Sequence, residues 1–289
     1  MKRRSFVAML AAPGAAGPGW AERLGVMCQL GSTEAGARKV IEAAAQAGFR
    51  RVQVNFAWDG VDEGFLKGLP GWLSAAGLKC EALGAYVNCL APGVNLMRTR
   101  EQDFMRAMEV APAAGARILV AWTGSHLPDL MKADARNPGR TSEDAIVRFI
   151  ERHLKGLERA RLKLALETYI TLACPDAVSL RRLLDRLPEL VGAVLDPPNL
   201  TPVARYGERD EVMKEMVRTL GERVAVAHLK DFRLRADGQS YDLPGPLGGV
   251  MNYPLYLKLV RGLKGDVPVV AEHIGPAEFA ETRRRLMAM

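Results

Sequence analysis

Aromatic residues make up only 6% of this 289-residue chain, and histidine occurs just four times. No basic run is interleaved with aromatic side chains, so the net charge of +7 reads as solvated surface, not as a nucleic-acid face. Part of the surplus is local: Lys2, Arg3 and Arg4 face no acid before Glu22, and Arg283, Arg284 and Arg285 form a second cluster. Cysteine is equally scarce. Cys28, Cys80, Cys89 and Cys174 form no CxxC pair, which argues against a thiolate metal site or a redox motif. Their spacing assigns no disulfide, and they read as small buried thiols. No segment beyond the N-terminus is long and apolar enough for a membrane span. What remains, 48% hydrophobic and 25% charged residues, is ordinary globular composition with ample length for a large core.

The opening stretch, MKRRSFVAMLAAPGAAGPGW, has the layout of a secretory signal: a basic start, a mildly apolar stretch, then small residues. Arg3-Arg4, followed by Ser5 and Phe6, resembles a twin-arginine address. The expectation is a signal over residues 1–20 and export to the periplasm, with cleavage around Ala15 to Gly17. A disordered basic tail on a cytoplasmic protein is the alternative.

From residue 22 to 289 one pattern recurs, a short apolar run followed by a longer amphipathic segment. The expected strands lie at 23–30, 50–56, 78–88, 116–124, 162–168, 190–199, 223–231 and 267–273. These runs are rich in Val, Leu, Ile and Ala with little strict alternation, as suits parallel strands covered on both faces. Between them lie helical patterns. STEAGARKVIEAAAQAG opens on Ser and Thr and stops at Gly48. Thr99 and Gln102 have capping-box spacing, and Ile146, Phe149, Ile150 and Leu154 share one helical face. Gly71 and Pro112 are expected to interrupt their segments. Eight such alternations predict a single (β/α)8 TIM barrel. A doubly wound open sheet is the alternative, but only loosely spaced glycines follow the first strand. The Gly/Pro-rich stretch 235–253 reads as a long functional loop.

Active sites of such barrels lie at the C-terminal ends of the strands. There the fifth strand ends in Glu167, the sixth in Asp196, the seventh in His228 and the eighth in Glu272. Singly, each has an ordinary explanation: a structural histidine, a cap for the turn before Pro197-Pro198, a carboxylate paired with a nearby base. All four occupy equivalent places in successive strands. Converging carboxylates would repel or shift their pKa values unless a cation lay between them. Oxygen ligands with one imidazole suit a single Mn²⁺, Mg²⁺ or Co²⁺ ion, and Zn²⁺ stays in the set. Other strand ends supply substrate-contact candidates: Asn55, Asn88, Trp122, His126, Asn199, Lys230 and His273, with Tyr169 and Arg205 ranked lower. Lys230 could instead pair with Asp231.

The set Glu167, Asp196, His228 and Glu272, together with the HLKD element and the Gly/Pro loop, resembles the sugar phosphate isomerase/epimerase family of the xylose-isomerase-like barrels. The resemblance covers roughly residues 22 to 289. It implies one divalent metal on those four residues and an acid/base role for Glu167 and Glu272. It implies an isomerase or epimerase acting on a small sugar, polyol or keto-sugar by proton transfer through an enediolate. A dehydratase or lyase using the same site, and a non-catalytic sugar-binding barrel, are the alternatives. Many family members carry a histidine three residues after the strand-six aspartate. Here Asn199 stands there, which leaves the specific substrate open, as is self-association. A related repair endonuclease family uses several zincs and many histidines. The four here are His126, His153, His228 and His273, and His153 falls in a helix.

Overall fold

The computed structural model describes residues 19–289 except Asn95 and Met97. The expected signal over residues 1–20 therefore lies almost wholly outside the described residues. The barrel strands are β1 (Leu24–Gln29), β2 (Arg51–Asn55), β3 (Lys79–Asn88), β4 (Ile118–Trp122), β5 (Lys163–Glu167), β6 (Val191–Leu195), β7 (Val224–Leu229) and β8 (Val269–Ala271), and a short antiparallel pair, Arg233–Leu234 with Tyr241–Asp242, lies in the loop after β7. The main helices are α1 (Glu34–Gln46), α2 (Glu63–Ala75), α3 (Glu101–Ala113), α4 (Arg140–Ala160), α5 (Ala177–Leu184), α6 (Arg209–Leu220), α7 (Tyr253–Arg261) and α8 (Phe279–Met287). All eight strands run parallel and close in the order β1-β8-β7-β6-β5-β4-β3-β2, which excludes the open sheet.

Alternation along each strand separates two cores. Outward side chains such as Val26, Val52, Leu164 and Leu195 meet the helices in one large cluster. Inward residues, among them Met27, Ala82, Val120, Ala165, Val194, Val226 and Val270, fill the barrel axis. The four cysteines are free and buried, and burial pushes their thiols up in pKa, as expected of inert packing groups.

Several local expectations shift. The Thr33 hydroxyl caps α1 by accepting from the Gly36 N–H, and the chain leaves that helix through Gly48 at φ 86°. Helix α3 begins one residue later than the Thr99 spacing implied: Arg100 is its N-cap, and Asp103, not Gln102, accepts the cap N–H at 3.0 Å. Helix α2 runs through Gly71, and Pro112 falls in the last turn of α3, which ends one residue later at Ala113. Strand six stops at Leu195. Asp-Pro-Pro-Asn turns there into a single helical turn, Pro197–Leu200, because proline cannot extend the ladder but suits a first helical turn.

At the N-terminal end of the barrel, Glu81 is fully buried among cations. Its carboxylate lies 3.2 Å from Arg51, 2.7 Å from Lys79 and 2.8 Å from Arg117, while Arg51 also binds Asp266 at 2.9 Å. Charge gathered at this face of a barrel serves stability, not chemistry. Glu81→Gln is therefore expected to cost about 1–3 kcal/mol, since it leaves the half-buried Arg51 and the exposed Lys79 and Arg117 short of a buried anion. Urea unfolding measures this, and a change within error would contradict it.

Candidate active site

The inward alternation that fills the axis also builds the floor of the mouth. Ala165, Val194, Val226 and Val270 point inward, so the residues two further on, Glu167, Asp196, His228 and Glu272, point inward at the top. One ligand atom from each lies within 4.8 Å of the others, and all four residues are buried. His228 Nδ1 is 3.4 Å from Glu272 Oε2, 3.7 Å from Asp196 Oδ2 and 3.8 Å from Glu167 Oε2. These are longer than hydrogen bonds.

The histidine's tautomer follows from its other nitrogen. Gln53 donates through Nε2 to Tyr86 Oη at 3.0 Å, which turns its carbonyl oxygen toward His228. His228 Nε2 donates to that Gln53 oxygen at 3.1 Å, and Tyr86 donates to Glu167 Oε2 at 3.1 Å. A directed chain of hydrogen bonds thus runs from one cluster member to another. It leaves His228 Nδ1 without a hydrogen-bond partner and facing three carboxylates, so that this nitrogen carries a proton in the ion-free cluster and becomes a ligand when the proton leaves. Such a buried, unpartnered nitrogen among acid oxygens fits a cation-ligating set.

Asp196 does two things at once. Its Oδ1 accepts from the Asn199 N–H at the start of the helical turn, at 3.4 Å, while Oδ2 faces the cluster. Asn199 returns through its side chain, donating to Glu167 Oε1 at 2.9 Å. From α7, Tyr256 donates to the carbonyls of both Leu195 and His228 at 3.0 Å, tying β6 to β7 beneath the site.

Lys230 is two residues beyond His228 and also points inward. Its Nζ sits 2.8 Å from Asp196 Oδ2 and 3.0 Å from Glu272 Oε1, and the residue is 2% exposed. It does not pair with Asp231, whose Oδ1 instead accepts from the N–H groups of Phe232 and Met251 and anchors the loop after β7. Three acids therefore face two internal cations. Burial, reinforced by Glu272 and Asp196, raises Glu167 to about 7 against the pull of His228 and Lys230. Burial also acts on Glu272, but Lys230 and His228 overcome it and hold its carboxyl well below the usual range.

Above this floor opens a cavity of about 550 Å³, lined by Asn55, Trp122, Glu167, Asn199, Lys230, Glu272 and His273 among others. Of the expected substrate contacts, His126 is not among the lining residues. Its backbone N–H donates to Asn137, within a loop that Ser125 and Asn137 hold in place. Asn88 is likewise spent on loop structure, bonding Ala91, Val94 and Ser125. Tyr169 does line the cavity, whereas Arg205 pairs with Glu208 and Glu215. His153 packs in α4 and bonds Glu101 at 2.9 Å. Sequence reasoning missed Gln53, Tyr86 and Gln29. Counting in twos back from Asn55, and on from Met27, reaches Gln53 and Gln29.

Two expectations follow for the chelator-treated protein. Lys230→Met would leave Asp196 and Glu272 without their nearest cation, at a cost of about 3–5 kcal/mol by urea unfolding. A loss below about 1 kcal/mol would contradict the pairing. Burial opposes the His228 imidazolium, but Glu272 and Glu167 outweigh it and hold the pKa up at about 10. A pKa raised from an unfolded value near ~6.5 contributes stability that is whole below that pH and is lost as pH rises through the folded value. The unfolding midpoint should therefore fall between pH 7 and about 10, and fall less in His228→Gln. Equal slopes in the two proteins would refute the assignment.

Comparison with curated proteins returns no match. Solved structures share the fold at low identity. A xylose isomerase-like TIM barrel protein from Mycobacterium smegmatis, in complex with magnesium, is 16% identical, with 89% of each chain covered and a TM-score of 0.66. A D-psicose 3-epimerase, solved in the presence of D-fructose, is 14% identical over 92% of this chain and 96% of its own, TM-score 0.66. A 3-keto-D-glucoside 4-epimerase from E. coli is 11% identical over 92% of this chain and 99% of its own, TM-score 0.66. The family model for the xylose isomerase-like TIM barrel matches residues 41–289, from the first helix through the last. With that match, and with a closed eight-stranded barrel to carry it, the chain belongs to the xylose isomerase-like TIM barrel family.

Proposed function

We propose that this protein is a divalent-metal-dependent isomerase or epimerase of a small sugar, polyol or keto-sugar. The observation that carries the reading is the convergence of Glu167, Asp196, His228 and Glu272, with ligand atoms within 4.8 Å of one another, at the floor of an open cavity. His228 Nδ1 and one carboxylate oxygen from each of the other three would hold the ion. A bound divalent ion supplies electrophilic stabilisation of charge developing on a carbonyl oxygen.

The chain's own groups account for the rest. Glu167 and Glu272 enter from β5 and β8, three strands apart around the barrel, and both line the cavity. Each is placed to take or return a proton at a carbon beside a carbonyl. Return to the opposite side of the same carbon is epimerisation, and return to the neighbouring carbon is isomerisation. Tyr86 and Asn199 hold the Glu167 carboxylate through both oxygens. Lys230 holds Glu272 and Asp196 in place. Two epimerases of sugars or keto-glycosides are among the proteins sharing this fold, which supports the reaction class.

The test is solvent deuterium exchange into a panel of ketoses and keto-sugars, with Mn²⁺, Mg²⁺, Co²⁺ or Zn²⁺ added in turn. Incorporation at carbon is expected with at least one ion, is lost on chelation, and falls at least ~100-fold in Glu167→Gln and in Glu272→Gln. An elimination would show in the same assay as a product short of one water. No exchange and no elimination across the panel, with metal binding intact, would refute the enzyme and leave a sugar-binding barrel.

A further inference from the structure

The cavity is divided by polarity. Its floor carries Glu167, Glu272, Asn199, Lys230 and Asn55, with Gln29, Tyr86 and His273 as further polar lining, whereas Trp122, Tyr169, Leu130, Met131, Leu243 and Ile274 supply an apolar wall. Trp122 and Tyr169 pack in one apolar cluster, with Leu130 and Leu243 against it. Met131, at the lip, is 45% exposed, one of few large apolar side chains left open to solvent. Cavities of ~300–1,000 Å³ enclose ligands of drug size, and about 550 Å³ is more than one sugar ring occupies. A lone ring with its hydroxyls on the polar floor would leave the apolar wall facing water.

The charge in the cavity points the same way. Lys230 is the one lysine or arginine among the described lining residues, and Asp196 and Glu272 already engage it. Barrels that hold phosphate use backbone N–H groups at the start of a short helix in the last loops. Here that place, after β8, is the helical turn Pro276–Glu278, and its leading N–H, from Gly275, is taken by the Glu278 carboxylate at 2.8 Å. An anion sits where a phosphate would bind, and Lys230, the one lysine or arginine among the described lining residues, is already engaged by Asp196 and Glu272.

Resting on the reading of the floor as a sugar-transforming centre, we propose that the substrate is an uncharged sugar or keto-sugar carrying an apolar substituent. In chemical class it is an aryl or alkyl glycoside of a keto-sugar, whose ring carbonyl survives glycosylation, with the ring on the floor and the substituent against the apolar wall, not a sugar phosphate; unoxidised glycosides, which can bind but not react, serve as its analogues.

Isothermal titration of the full chain with Mn²⁺ tests this, using methyl and phenyl glycosides of glucose, galactose, mannose and xylose, the free sugars, and the hexose 6-phosphates. At least one phenyl glycoside is expected to bind tenfold or more tighter than its methyl partner, from the apolar area covered. No 6-phosphate should exceed its free sugar. Met131→Ser, at the exposed lip, should cut the phenyl-to-methyl ratio at least threefold. Equal phenyl and methyl affinities, tighter binding of a phosphate, an unmoved ratio in Met131→Ser, or no binding by any member overturns the proposal. Titration reads binding without turnover. A phenyl preference with no deuterium exchange therefore defeats only the reaction assigned above, and exchange without a preference defeats only this proposal.

Discussion

Three carboxylates and an imidazole meet, buried, at the floor of a barrel mouth, and the rest of the architecture answers to that meeting. Such a cluster is unfavourable unless positive charge is supplied. Lys230 supplies one charge from within, through Asp196 and Glu272. His228 keeps Nδ1 directed at the acids because Gln53 takes the other nitrogen. The internal cations make the cluster tolerable, and the unpartnered nitrogen keeps it receptive. A site built only for stability would have closed its hydrogen bonds.

The geometry is held from behind by side chains that do no chemistry. Tyr256 bonds two carbonyls at the ends of β6 and β7, and Tyr253 bonds the carbonyl of Lys230 at 2.9 Å. Both come from α7, which starts with Asn252 accepting the Leu255 N–H. Asp231 pins the preceding loop. The long Gly/Pro-rich stretch is thus less a mobile cover than the support that places α7, and only Leu243 from its middle reaches the cavity.

Much of this was legible in the residues. Apolar runs marked all eight strands to within a few positions, and their polar ends marked the four clustered residues, because a parallel strand leaves its face pattern only where the barrel opens. The sixth strand was read too long, since the run Leu-Asp-Pro-Pro-Asn carries no apolar break although its prolines end the ladder. Tyr86 escaped notice for a physical reason: β3 shifts register against β4 between Gly84 and Asn88, and Tyr86 itself sits at φ 24°. Simple alternation does not survive such a bulge. His126 misled in the opposite way. A histidine after a strand end invites a functional reading, but the loop turns on Asn88, Ser125 and Asn137, whose hydrogen bonds depend on distant partners no local pattern records.

Floor and wall differ in how they are fastened. The floor residues sit on strand ends and bond one another across the barrel, so a change in one disturbs the rest. Leu130, Met131, Leu243 and Ile274 sit on loops, and the side chains of Leu130 and Leu243 pack on the Trp122 and Tyr169 cluster, not on the acids. Selection can therefore exchange the wall piece by piece at little cost to folding or to the acid cluster. Descendants of such a barrel would diversify in what they accept long before they diversify in what they do to it.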